Sequence, residues 1–425
     1  MLKITARTLL PLTLIFACSG DDGTTDTAAE TSDTGSNAEC MDGMEITSDL
    51  TEDTTWDCDV TLGAIVTVTN GATLTVTPGV TVSGKSGSAL VIAQGSKMIA
   101  EGTAEMPIVF TSSQPAGMRN RGNWGGLLFL GNAPINLAGG TGLAEGLENN
   151  ATYGGTDPAY SCGSLKYVRV EFAGFELTTD NELNGITFSG CGTGTTVDYV
   201  QVHMGDDDGI EWFGGGMDAS HLVLTGIADD SLDIDQGYSG KIEHVFIQQD
   251  PAEGNYAFEI SNQDTNLDAT PRTAPVLSHV TAIGGNGPKA AGIKLKEGTA
   301  GELHNSIVMN FGGAQVDLTE TQTEMQAAAG AIKIMNTIFS GNNQSDSGLY
   351  VASPDSTFNV QAFVEDPANN NMFEVDPMLT SVAWGSPNIV PMAGSPALLG
   401  TGEHLGAVKD EAGDWTQGWT SYAAN

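Results

Sequence analysis

The chain has 425 residues, with 15 basic and 53 acidic side chains and a net charge of −38. That charge excludes nucleic acid and anionic membrane surfaces as partners, since both need a basic footprint, and leaves divalent cations open. The length suits one large all-β domain or two ordinary ones.

The first twenty residues, MLKITARTLLPLTLIFACSG, carry Lys3 and Arg7 ahead of an apolar run from Leu9 to Ala17. The run is too short to cross a bilayer and has the flanks of a secretory signal. Ile15-Phe16-Ala17-Cys18 resembles the lipobox of bacterial lipoprotein signals. The resemblance implies a signal over residues 1–18, cleavage before Cys18 and acylation of that cysteine; the alternative is an ordinary secretory peptide with an incidental thiol. Ser19, Asp21 and Asp22 are similar to sorting features of such lipoproteins, which implies an outer-membrane, surface-exposed location. Residues 19–38 are rich in Ser, Thr, Asp and Gly and lack any large apolar side chain, so they form a tether that cannot offset its ordering entropy. Setting Cys18 aside leaves four cysteines, and an even number in an exported chain suggests two disulfides between near neighbours, Cys40–Cys58 and Cys162–Cys191.

Beyond the tether a short phrase recurs: LKYVRV, VDYVQV, SHLVL, EHVFI, SHVTA, HNSIV and MNTIF. Its aligned column is Tyr167, Tyr199, His221, His244, His279, Asn305 and Asn336, at spacings of 22 to 35 residues. A strand-rich unit of this length with elastic insertions marks a β-solenoid. A second phrase follows each first one: NGITF, DGIEW, DSLDI, YAFEI and AGIKL. Strand alternation sends Ile186, Ile210, Leu232, Phe258 and Ile293 inward, with Phe188, Trp212, Ile234, Ile260 and Leu295. The residues between them, Thr187, Glu211, Asp233, Glu259 and Lys294, face outward. Residues one coil apart stack at about 4.8 Å, within reach of a disulfide such as Cys162–Cys191.

The stretch GATLTVTPGVTVSGKSGSALVIAQGSKMIAEGTAEMPIVFTSS resembles the opening coils of right-handed parallel β-helix proteins. NWGGLLFLGNAPIN, GTTVDYVQVHMGDDDGIEWFGG, AGIKLKEGTAG and DWTQGWTSY are similar to phrases in Gram-negative surface lipoproteins of that fold, a group without an established activity. The fold expected is one all-β, right-handed parallel β-helix over residues 39–400, with a C-terminal cap over 401–425.

That geometry stacks acids. Asp206–Asp208 and Asp229–Asp230 share a turn in successive coils, Asp250 ends the equivalent strand in the next, and Glu211, Asp233 and Glu259 stack beside the turn. At about 5 Å and an effective dielectric near 20, each neighbouring pair repels by roughly 3 kcal/mol. A bound cation, raised pKa values or splaying into solvent must relieve it. Oxygen-only ligation selects a hard ion, Ca²⁺ before Mg²⁺, and the candidate ligands are Asp207, Asp208, Glu211, Asp229, Asp230, Asp233 and Glu259. The alternative is a solvated acidic face.

DDDGIEW with ADDSLDID is similar to paired phrases of family-9 pectate lyases, and AGIKLKEG resembles the phrase carrying their basic residue. The resemblance implies Ca²⁺ on Asp207 or Asp208, Asp229, Asp230 and Asp233, with Lys294 removing the proton α to a uronate carboxylate. One extra coil, bearing Glu259, separates Asp233 from Lys294, however, and makes a surface lysine stacked on Glu259 the first reading of Lys294, ahead of the base. His221, His244 and His279 share their column with Tyr and Asn, which points to stacking rather than catalysis. Trp212 falls in the core, and Trp415 and Trp419 are expected to seal the last coil. The expected function is a lipid-anchored, calcium-stabilised module that binds extracellular polysaccharide or adheres to surfaces. A calcium-dependent lyase of uronate glycans and a purely structural surface protein are the alternatives.

Overall fold

Short apolar–polar alternations bounded by glycine turns make each segment of this chain a strand, and the strands pair in parallel with the equivalent segment of the next coil. The computed structural model describes residues 40–144, 147, 151–178, 181–285, 287, 290–342, 348–399 and 403–425. The expected signal, Cys18 and the tether lie outside the described residues. Residues Glu39–Asn425 form one compact unit, a parallel β-helix.

Each full coil has three walls. The first and second meet at a sharp bend, and five long strands, from Gly163–Glu171 to Val276–Ile283, run through it. The third wall is a ladder of ten strands stacked in chain order, from Ile65–Val68 to Tyr350–Ala352. Its register aligns Thr187, Glu211, Asp233, Glu259, Lys294 and Asp317 in one outward column. The expected inward columns, including Trp212, are buried in a single continuous core.

The bend explains the first recurring phrase. Tyr167, Tyr199, His221, His244, His279, Asn305 and Asn336 all have φ between 49° and 57°. A left-handed residue turns the chain from one wall to the next, at a cost of roughly 1–2 kcal/mol for a side chain other than glycine. Stacking offsets part of that cost. Tyr167, Tyr199, His221, His244 and His279 form a continuous pile with centroid separations of 4.4, 4.2, 5.0 and 5.2 Å. Asparagine, which tolerates this conformation, takes over in the last coils.

Both disulfides form as spaced, with Cα separations of 5.7 Å for Cys40–Cys58 and 5.8 Å for Cys162–Cys191. The end of the solenoid is closed by a short helix, α1 (Val360–Val364), which sets Val360 and Val364 into the core.

The tryptophans expected to seal that end lie elsewhere. Trp415 packs edge-on against His221 at 5.0 Å, and Trp419 against Tyr167 at 5.8 Å. The C-terminal segment therefore runs back along the side of the rod. The reason is the outward face of the second wall, where Val223, Phe246, Ile283, Ile307, Met309 and Ile338 form an apolar strip packed under Leu379, Ile389, Val408 and Trp419. Strict alternation would place Phe246 in solvent, yet it is 1% exposed. Replacing Phe246 with Ala is expected to cost about 3–5 kcal/mol by chemical denaturation, the loss of a buried aromatic. A cost within about 0.5 kcal/mol, that of an ordinary surface change, would mean the segment does not cover it.

Candidate metal centre

The turn between the second and third walls presents one backbone N–H per coil that the strand ladders do not use, and a side-chain oxygen from the coil before accepts it. Asn184 Oδ1 accepts from Asp208 N at 3.2 Å, Asp208 Oδ1 from Asp230 N at 3.0 Å, and Asp230 Oδ1 from Tyr256 N at 2.6 Å. Short side chains with an oxygen at this reach are the ones that serve, which is why Asn and Asp occupy the position. The ladder binds Oδ1 of Asp208 and of Asp230, and both carboxylates lie beside the outward column of Glu211, Asp233 and Glu259.

All seven expected acids converge there. Oxygens of Asp207, Asp208 and Asp229 lie within 4.8 Å of one another, as do those of Asp208, Glu211 and Asp233, and those of Asp230, Asp233 and Glu259. The groups overlap through Asp208 and Asp233. Asp208 and Asp230 are 8% and 4% exposed. Among the described residues, the buried Oδ1 of Asp233 meets no hydrogen-bond donor. Polar neighbours serve the rim: Asn184 Nδ2 donates to Glu211, and Asn255 Nδ2 to Asp229 at 2.8 Å.

Burial and mutual repulsion both disfavour ionisation. The Asp208 carboxyl is held well above the usual carboxylate range by burial and then by the charges of Asp233, Asp207, Asp230 and Glu211. Asp230 and Asp233 are raised likewise, by burial first and Glu259 second. Asp235, two residues along the strand from Asp233, is pushed up to about 7, chiefly by burial. With oxygen donors alone and carboxylates this closely clustered, the residues fit a hard divalent cation. Without one, protons take its place.

The lysines divide. Lys294 stands opposite Glu259 in register, but its amine donates to Asp317 Oδ2 at 2.7 Å, three coils beyond Asp233. It is Lys296 that pairs with Glu259. Burial works against the charge on Lys296, yet Glu259 prevails and holds its pKa above the ordinary lysine value. Asp250 leaves the acid column and pairs with Arg121 at 2.7 Å. Sequence reasoning passed over Asn184 and Asp317 and gave Asp235 and Lys296 no role in the site. For Asn184 the signal was present, since NGI, DGI and DSL align Asn184 with Asp208 and Asp230. Lys296 shares the outward parity of Lys294.

On the chain-N-terminal part of the third wall, Val91, Leu128 and Leu130 face outward under Ile135, Ala144, Ala151 and Tyr153. That cover stops near the acids: Tyr153 meets the aromatic face of Phe213 at 6.0 Å and donates to Gln236 Oε1 at 2.8 Å. The acid column thus begins where the apolar cover ends.

Carboxyls with raised folded-state pKa values bind more protons folded than unfolded, so the stability they contribute is present at low pH and lost as pH rises. For Asp235 the window runs from about 4 to about 7. In chelator, the melting temperature is expected to fall by on the order of 5 °C or more between pH 4.5 and 8. Asp233→Asn should flatten that slope and raise the melting temperature at pH 8; a slope unchanged in Asp233→Asn would show that the acids are splayed and solvated.

No curated protein matches the chain. The profile of a family described as a pectate-lyase-like β-helix domain matches residues 46–420, nearly the whole described solenoid together with the segment laid along its side. This chain belongs to the pectate-lyase-like β-helix domain family.

Proposed function

We propose that this is a cell-surface protein, lipid-anchored through Cys18 in the outer membrane, whose acid column binds Ca²⁺ and, with it, acidic extracellular polysaccharide. The observation that carries the reading is the overlap of three carboxylate groups on an outward wall, with Asp233 Oδ1 buried and unmet among the described residues. Asp208, Glu211, Asp230, Asp233 and Glu259 would hold the ion, with Asp207 and Asp229 at the rim. A bound calcium ion supplies positive charge that neutralises the column and draws a sugar carboxylate. The protein's own residues keep the oxygens in register through the Asn184–Asp208–Asp230 ladder, and Lys296 adds a cation beside Glu259.

Calcium at a hundredfold excess over its dissociation constant should stabilise the protein by about 2.7 kcal/mol. Chelator should remove the effect and Asp233→Asn should abolish it, as read by calorimetric melting and titration. Equal responses to calcium and to matched ionic strength would leave a solvated acidic face and a purely structural role. Metabolic labelling with a fatty acid should mark the wild-type chain and not Cys18→Ser.

A second reading is favoured by the family itself, a calcium-dependent lyase of uronate polymers. A lysine would take the proton α to the uronate carboxylate, and the 4-linked sugar would leave as the double bond forms. Polygalacturonate incubated with protein and calcium would then develop the absorbance of an unsaturated uronate, lost in Lys294→Ala or Lys296→Ala. Binding of the polymer without that absorbance supports the adhesive module and removes the lyase.

A further inference from the structure

The chain has six histidines, and five of them belong to or touch one segment, the strap of residues 403–425. The strap crosses the coils in reverse order. Gly406 N donates to Asn305 O at 2.8 Å and Ala407 N to Thr281 Oγ1 at 2.9 Å. Further along, Trp415 meets His221, Trp419 meets Tyr167 and Tyr199, and Ser421 N donates to Gln201 Oε1 at 2.8 Å. The strap ends with the Ala423 carbonyl accepting from His203 Nε2 at 2.7 Å. His404, on the strap, extends the ring pile, with its centroid 4.8 Å from that of His279.

Rings 4 to 5 Å apart stack well when neutral and repel when charged. The buried Nδ1 of His244 meets no hydrogen-bond partner among the described residues, so a proton added there has nothing to bind in the closed form. The charged groups around the pile are few. From the solenoid, Asp198 bonds His221 Nδ1 at 2.8 Å, Glu243 lies near His244 and His279, and Glu171 and Arg121 act on His203. From the strap, Glu403, Asp410 and Lys409 act on His404, and Asp414 lies alongside. Tyr167 and Tyr199 complete the pile.

We propose that the strap is an acid-released latch: the neutral imidazoles of His244, His279 and His404 hold residues 403–425 against the second wall, and their protonation lifts the strap, uncovering Tyr199, Gln201 and Thr281 while the coils persist.

Burial, before any neighbouring charge, lowers the pKa of His203, His244, His279 and His404, and for His279 the value falls from 6.5 to about 4. A histidine with a lowered pKa in the closed form takes up its proton on opening. The closed form is therefore fully favoured above about 6.5 and loses ground as pH falls toward 4. This is opposite in sign to the acid column, so the two devices are separable in one experiment.

The test is hydrogen exchange by mass spectrometry on the purified protein in chelator at pH 7.5 and 4.5, corrected for intrinsic rate. Strap peptides should lose protection by roughly 50-fold or more, as His279 alone would give, while third-wall peptides hold. His244→Asn with His279→Asn keeps the residue type that Asn305 and Asn336 already place at this bend, and should cut the loss by at least that same roughly 50-fold factor. Unchanged strap protection, an equal loss in the double variant, or simultaneous loss in strap and coils would each overturn the latch. Should the double variant fail to fold, imidazole titration of the wild-type protein by NMR decides. Titration below pH 5 together with strap opening supports the proposal, and titration near 6.5 under a closed strap overturns it.

Discussion

Parallel stacking in register is the constraint from which the other features descend. Each coil places its side chains about 4.8 Å from the same positions of the next, so a residue type is chosen together with its own repeats. Apolar columns such as Ile186, Ile210, Leu232, Phe258 and Ile293 merge into a continuous core. Rings at the left-handed bend pile face to face and recover part of its conformational cost. Carboxylates placed in the same way have no such complement. Neighbouring charges rise together, and a cation or protons must enter.

Polarity along the rod follows from how the few basic residues are spent. Lys296 answers Glu259 and Lys294 answers Asp317, so the chain-C-terminal coils of the third wall are balanced by ion pairs. The coils of Glu211 and Asp233 receive no lysine of their own in that column. Arg119 and Arg169 serve the nearly buried Glu171, and Arg121 serves Asp250. Among the described residues, the acids of the two successive coils that carry Glu211 and Asp233 are thereby packed side by side.

Much of this was legible in the sequence because period-two alternation and a coil-length repeat are local patterns. The two phrases gave the inward columns, the outward column and the bend residues in the register observed, and near pairing gave both disulfides. The acids came together for the same reason. What alternation hid was contact between segments distant in the chain. Phe246 and Val223 sit at outward parity and read as exposed, although the unbroken apolar runs VFI and LVL imply burial on both faces. Their cover comes from more than 130 residues downstream, a contact no local pattern encodes, and so Trp415 and Trp419 were sent to the wrong place. Which lysine meets Glu259 depends on side-chain reach within the same face, which register leaves undecided between Lys294 and Lys296.

The backbone cap at the turn between second and third walls has one more consequence. Asn184, Asp208 and Asp230 accept from the following coil through the same oxygen, whether the side chain ends in an amide or an acid. The scaffold is indifferent to that choice, whereas ion chemistry is governed by it. Exchanging nitrogen for oxygen at successive rungs would lengthen, shorten or slide the anionic strip along the rod without touching how the coils close. Architecture and ligand preference can thus drift independently in this molecule, one atom at a time.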